Sequence, residues 1–161
     1  MRILVTGGAG FLGGHLIPKL VSSGHGVDAL IRSTKDSPKL RALGATPVIG
    51  DLNNSDSMRL PAIDAVVHAA AYFRFAGPRE PYFKTNLEGT KALLQAAERA
   101  GAKTFVHISA AGVIMDDRGS RICNADEKAR TYPKSFSGYV ASKAQSEAVV
   151  LAANKPGFRT I

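Results

Sequence analysis

An apolar run, Arg2–Thr6 (RILVT), passes without a linker into Gly7-Gly-Ala-Gly-Phe-Leu-Gly13 and on into a stretch of helical periodicity, Leu12–Val21. This junction constrains the fold more than any other feature of the chain. A strand that ends in closely spaced glycines and opens a helix is the setting in which a dinucleotide phosphate is bound. The glycines permit a tight turn, let backbone amides approach a pyrophosphate and allow close helix–strand packing, and the helix N-terminus adds positive potential. Both GxGxxG (Gly8, Gly10, Gly13) and GxxGxxG (Gly7, Gly10, Gly13) fit the run, and Gly7, Gly10, Phe11, Leu12 and Gly13 are the candidate contacts. Pro18 conflicts locally with the helix, because an interior proline crowds the carbonyl four residues back. That position is Gly14, whose lack of a side chain eases the kink.

The same alternation continues along the chain. Val27–Arg32, Thr46–Gly50, Ala65–His68 and Lys103–Ser109 read as strands, and Phe158–Ile161 begins a sixth. Helical patterns lie between them at Pro38–Leu43, Tyr82–Arg99 and Gly138–Ala153, with a turn near Ser55–Leu60. Near-continuous apolar strands separated by helices imply a parallel sheet covered on both faces, since parallel neighbours need crossover connections. The expected architecture is one doubly wound α/β domain over residues 1–161, a Rossmann fold cut at the start of its sixth strand. Ala110–Ser137 is too long for a mere connection and is a candidate functional loop.

Composition narrows the function. The chain is 45% hydrophobic and 21% charged, an ordinary globular balance that argues against disorder or a coiled coil. Its formal charge of +8 is divided between both halves without a long basic tract, which points to anionic small ligands rather than nucleic acid. No apolar run reaches the roughly 18–20 residues of a membrane span. A single cysteine, Cys123, excludes an internal disulfide framework and a multi-cysteine zinc site and fits a reducing cytoplasm. His68 and His107 fall within strands and read as packed, hydrogen-bonded residues, and no carboxylate–histidine spacing suggests a metal.

Two further positions carry chemistry. The residue at the carboxyl end of the second strand selects the cofactor's adenosine ribose, an acid favouring NAD and an arginine NADP. Asp28 has the expected distance from the glycines but lies early in its strand, whereas Arg32 stands at the end. NADP is the expected cofactor, with NAD as the alternative. Tyr139-Val-Ala-Ser-Lys143 opens the last long helix. The spacing of four places phenol and ammonium on one helical face, where the cation is expected to lower the tyrosine pKa toward a range useful for proton transfer. Tyr72, Phe73 and Phe75 follow the fourth strand, where they would line a pocket or pack in the core.

Taken together, TGGAGFLG, Gly50-Asp51-Leu52, Val66-Val-His-Ala69-Ala70, Asn86-Leu-Glu-Gly89-Thr90 and Tyr139-x-x-x-Lys143 resemble, in order and over the whole chain, the extended short-chain dehydrogenases/reductases of the NAD-dependent epimerase/dehydratase group. The resemblance implies that Gly7, Gly10 and Gly13 line the pyrophosphate, that Asp51 and Leu52 approach the adenine, and that Ala69 and Ala70 border a ribose. It makes Tyr139 the general acid/base and Lys143 the ligand of the nicotinamide ribose. The Arg32 pattern is most similar to the dihydroflavonol-reductase-like and hydroxysteroid-dehydrogenase-like branches, many of which use NADP(H). Two departures stand out. Where the family shows a pair of hydroxyl residues after the fifth strand, this chain has Ser109-Ala110-Ala111, which leaves Ser109 as the candidate catalytic hydroxyl. Family members also run to about twice this length, their second half supplying most of the substrate pocket, so the chain reads as the cofactor-binding part. It is expected to bind dinucleotide with little turnover and to be marginally stable alone. The expected function is NADP(H)-dependent oxidation or reduction of a small alcohol or carbonyl substrate, with self-association to a homodimer left open. The alternatives are a sugar-nucleotide epimerase or dehydratase and a non-catalytic dinucleotide-binding module.

Overall fold

Six strands, β1 (Arg2–Thr6), β2 (Gly26–Ile31), β3 (Thr46–Ile49), β4 (Ala65–His68), β5 (Thr104–His107) and β6 (Arg159–Thr160), form a parallel sheet in the computed structural model, which describes residues 1–161. Their order is β3-β2-β1-β4-β5-β6. The chain thus winds outward from β1 to β3 and then crosses back to β4 on the other side of β1. Val5 of β1 faces Ala29 on one neighbour and Val67 on the other. The loops that leave β1 and β4 therefore part in opposite directions and open a crevice at the strands' carboxyl ends, where ligands of such sheets bind.

Strand periodicity divides the core into two layers. Ile3 and Val5 point to one face and pack with Ala29, Ile17 of α1 (Phe11–Ser22) and Leu40 of α2 (Ser37–Ala42). Leu4 points to the other face, against Val66, Phe105 and the helices α4 (Gly89–Arg99) and α5 (Gly138–Ala152), which bring in Leu93, Leu94 and Val150. Leu93 is fully buried, so truncating it to alanine costs about 2–5 kcal/mol.

The helix expected over Tyr82–Arg99 begins earlier and is not uniform. A turn of α-helix, α3 (Glu80–Tyr82), leads into a π-helical turn over Phe83–Glu88 and then α4. Such turns insert an extra residue and re-aim side chains; here Asn86 and Leu87 are both buried. The α1 helix runs unbroken through Pro18, and the space a Gly14 side chain would occupy is empty. Asp28, the alternative ribose acid, is buried three residues before the end of β2. Its two oxygens accept from Arg2 Nε and Nη2 at 2.6 and 3.1 Å. That ion pair ties β2 to the start of β1, at the end of the sheet away from the crevice.

Candidate active site

The turn after β1 owes its shape to two glycines. Gly7 has φ +71°, and a Cβ there would lie 2.8–2.9 Å from the backbone of Ala69 and Ala70. A Cβ on Gly13 would come within 2.5 Å of Gly7 O and Gly8 Cα. The first position allows β4 to approach the turn; the second seats α1 on it. These contacts favour the GxxGxxG reading, because the nearest neighbours of a Cβ on Gly8 would be side-chain atoms of Ile17, Leu40 and Ala29 at 3.0–3.4 Å rather than backbone. Gly10 caps the helix, its amide donating to Gly7 O at 3.0 Å and its carbonyl accepting from Gly14 N. The amides of Phe11, Leu12 and Gly13 have no backbone partner and receive no side-chain cap. They are the unpaired donors of a helix N-terminus.

A cavity of about 400 Å³ opens beside this turn. Its walls bring together Gly7, Gly10, Arg32, Asp51, Leu52, Ala69 and Ala70, residues spread over most of the first half of the chain. Arg32 is exposed and stands at the end of β2, as expected. The side chains of Phe11 (86% exposed) and Leu12 lie outside it, and Gly13 is underneath. Residues that sequence reasoning did not single out also face it: Ser33, Asp36, Asn53 and Thr85. Lys39 Nζ donates to Ala9 O at 2.6 Å, so a second cation is anchored to the turn. No spacing rule from the glycines would have found Lys39, because the contact depends on how α2 folds back.

Beneath the cavity runs a buried hydrogen-bonded thread whose direction is fixed. Thr90 Oγ1 donates to Asn86 O at 2.6 Å, so His68 Nε2, 2.9 Å away, must be its donor. His68 Nδ1 then accepts from Thr6 Oγ1 at 2.7 Å, and Thr6 Oγ1 accepts from Ala70 N at 3.1 Å. Burial pushes the His68 pKa well below its usual value, and the Lys143 ammonium acts in the same direction. His68 is therefore a neutral structural residue, as the sequence suggests. Asn86, aimed inward from the π turn, exchanges bonds with Tyr72 N (2.7 Å) and Tyr72 O (3.0 Å) and donates to Ser142 Oγ at 3.0 Å. It links the cavity wall to α5.

On α5, Ser137 caps the N-terminus and a polar stripe of Tyr139, Ser142, Lys143 and Ser146 faces the sheet. Tyr139 and Lys143 share the face predicted from their spacing, but they are not coupled. Lys143 is 2% exposed and its Nζ turns to Ile108 O at 2.7 Å and His107 Nε2 at 3.1 Å. Burial lowers its pKa to about 8, partly opposed by Glu147. Tyr139 instead packs edge-on against Phe73, ring centroids 4.8 Å apart, and burial raises its pKa. The expected lowering by a neighbouring cation is thus reversed, because the ammonium is directed to β5. Phe73 also stacks on Phe75, which is 99% exposed, and these rings form an aromatic rim rather than core. The Ser109 Oγ is buried without a partner. Ala110 beside it has no hydroxyl to offer.

The open parallel sheet, glycine turn and Tyr-x-x-x-Lys helix define the class of extended short-chain dehydrogenases/reductases. Within it, the chain belongs to the 3-beta hydroxysteroid dehydrogenase/isomerase family, matched over residues 4–161. It is 38% identical to a 4-hydroxy-2-methyl-3-oxo-4-farnesyl-3,4-dihydroquinoline-1-oxide ketoreductase of Stigmatella aurantiaca, over 100% of this chain and 48% of that protein. It is 33% identical to a 3-beta-hydroxysteroid dehydrogenase of Mycolicibacterium neoaurum, over 95% and 43%. Among solved structures, a UDP-galactose 4-epimerase matches with TM-score 0.79 and 29% identity, covering 94% of this chain and 51% of the other. A short-chain dehydrogenase/reductase superfamily protein from Agrobacterium tumefaciens with bound NAD matches with TM-score 0.76 and 30% identity, covering 93% and 44%. The chain spans about half the length of these relatives. No helix is long and apolar enough to cross a membrane.

Proposed function

We propose that this chain binds NADP(H) and contributes the cofactor half of an oxidoreductase acting on an alcohol or carbonyl group. The observation that carries the reading is Arg32, exposed on the cavity wall at the end of β2 while the competing acid, Asp28, is sealed by Arg2. Lys39, anchored at the glycine turn, adds a second cation for a ribose 2′-phosphate. The pyrophosphate would lie on the free amides of Phe11, Leu12 and Gly13, with the adenine near Asp51 and Leu52 and a ribose against Ala69 and Ala70. The cofactor supplies or accepts the hydride. Tyr139 would carry the accompanying proton, kept as a neutral phenol by burial until a ligand or a movement of Lys143 changes its surroundings. Ser109 would hold the substrate oxygen or the nicotinamide amide through its unpartnered hydroxyl. The aromatic rim of Phe73 and Phe75 favours an apolar substrate body.

Asp36, four residues past Arg32 on the same wall, supports a second reading in which it accepts a hydrogen bond from a ribose 2′-hydroxyl of NAD. Calorimetric titration with NADPH and NADH separates the two. Tighter binding of NADPH, weakened on Arg32→Ala, is the expected result; equal affinities, or indifference to Arg32→Ala, refute the phosphate assignment.

A further inference from the structure

His107 ends β5, is 9% exposed and is not needed for any step above. Its Nε2 lies 3.1 Å from Lys143 Nζ and 3.2 Å from Ser146 Oγ. Ser146 has one hydroxyl proton, which can go either to the carbonyl of Lys143, 2.9 Å away, or to Nε2. Lysine is a donor only. An Nε2 lone pair, with the ring proton on Nδ1, accepts from the ammonium and from Ser146 when its hydroxyl turns to the ring, whereas a proton on Nε2 would suit Ser146 alone and face the ammonium. This assignment also accounts for Nδ1, which is buried and has no partner. A donor left unpaired in the interior is costly, and it persists here because the alternative would set an N–H against an ammonium. The neutral His68 ring lies tilted beside His107, ring centroids 5.3 Å apart. Burial and Lys143 together lower the His107 pKa to about 3.

We propose that His107 is the positioning residue of Lys143: as a neutral imidazole protonated at Nδ1, it holds the lysine amine on its Nε2 lone pair and fixes where that amine points and how readily it keeps its proton. The groups around the amine are His107 and the Ile108 carbonyl from β5 and its exit, His68 from β4 behind His107, and Glu147 and Tyr139 from α5 itself. Only the first two contact it. With the acceptor removed, a buried ammonium retains one bond, to Ile108 O, and releases its proton more easily. The relevance to catalysis rests on the reading of Lys143 as a cofactor ligand, but the contact itself does not.

The test is made first on the free protein. Imidazole 15N spectra of the wild type are expected to show His107 protonated at Nδ1 and His68 at Nε2 throughout pH 5 to 9. The side-chain resonance of Lys143, assigned by its loss in Lys143→Met, is expected to titrate near pH 8. In His107→Phe, which keeps the ring and removes the acceptor, that midpoint falls by about one pH unit or more; in His107→Gln, which restores an acceptor, it returns toward the wild type. NADPH titrations across the same pH range then follow the lysine midpoint in each variant. The proposal is overturned if His107 carries its proton on Nε2, or if a folded His107→Phe leaves the Lys143 midpoint unmoved. Should His107→Phe not fold, the wild-type tautomer and the His107→Gln midpoint decide. Failure of the wild type to bind NADPH, with the lysine midpoints behaving as described, refutes the cofactor reading and supports the contact.

Discussion

Gly13 and Gly14 are neighbours in sequence, yet the structure assigns their replacement by alanine opposite signs. A Cβ on Gly13 would sit 2.5 Å from both Gly7 O and Gly8 Cα and 2.7 Å from Gly8 C, all backbone atoms of the turn. Nothing there can rotate aside, so α1 must lift off the turn, an overpacking that costs about 1–3 kcal/mol. A Cβ on Gly14 meets nothing within 4 Å, and the residue lies inside α1. Alanine there gains the propensity difference of about 0.8–1.0 kcal/mol. At about 2–4 °C per kcal/mol for a domain of this size, Gly14→Ala raises the melting temperature by about 2–4 °C and Gly13→Ala lowers it by about 2–12 °C. Circular dichroism melts of the two variants beside the wild type provide the comparison, with NADPH titrations to read the turn itself. Gly13→Ala should also weaken NADPH binding, and Gly14→Ala should leave it unchanged. A Gly13→Ala variant that melts and binds with the wild type would show that the turn is loose and that close seating of the helix is not what the third glycine provides.

Other expectations follow from the same geometry. In a form that also carries the substrate half, Tyr139→Phe keeps the packing on Phe73 and removes only the hydroxyl, so NADPH affinity should hold while carbonyl reduction drops by about 10²–10⁴-fold; retention of most activity would exclude the acid/base role. Lys39→Ala should reduce affinity for NADPH more than for NADH, and equal losses would assign Lys39 to the turn alone. His68 and His107 both have depressed pKa values in the folded state, so the unfolded chain binds more protons in acid. Their stabilising effect is complete above the unfolded value of about 6.5 and is lost as pH falls, for His107 across the interval down to about 3. Urea midpoints should therefore decline from pH 7 to pH 5, each histidine contributing at most about 1.4 kcal/mol per pH unit; a flat profile would mean that these rings are already protonated or solvated.

The framework was legible in the sequence because it rests on local rules. Alternating apolar strands and helical patterns gave the sheet, and β1 and β4 have the expected boundaries. The glycine turn was legible because only glycine tolerates the approach of Ala69 and Ala70 to Gly7. What the spacing rules missed depends on tertiary direction. Four residues along a helix place Tyr139 and Lys143 on one face, but the interior acceptors on β5 turn the lysine away from the phenol. The π turn that aims Asn86 inward has no propensity signal, and the Arg2 contact that removes Asp28 from contention joins strands adjacent only in the folded sheet.

The inward thread beneath the cavity also gives its two walls different chemical character. Of the four amides from Ala69 to Tyr72, those of Ala69, Ala70 and Tyr72 are already bound to Thr6 O, Thr6 Oγ1 and Asn86 Oδ1. The β4 wall is consequently poor in free donors, while the α1 wall presents three amides with no partner. A ligand bridging the crevice can satisfy both only by laying its anionic groups toward α1 and its hydroxyls toward β4. Thr6, by occupying two of those amides from the floor of the cavity, sets this difference between the walls.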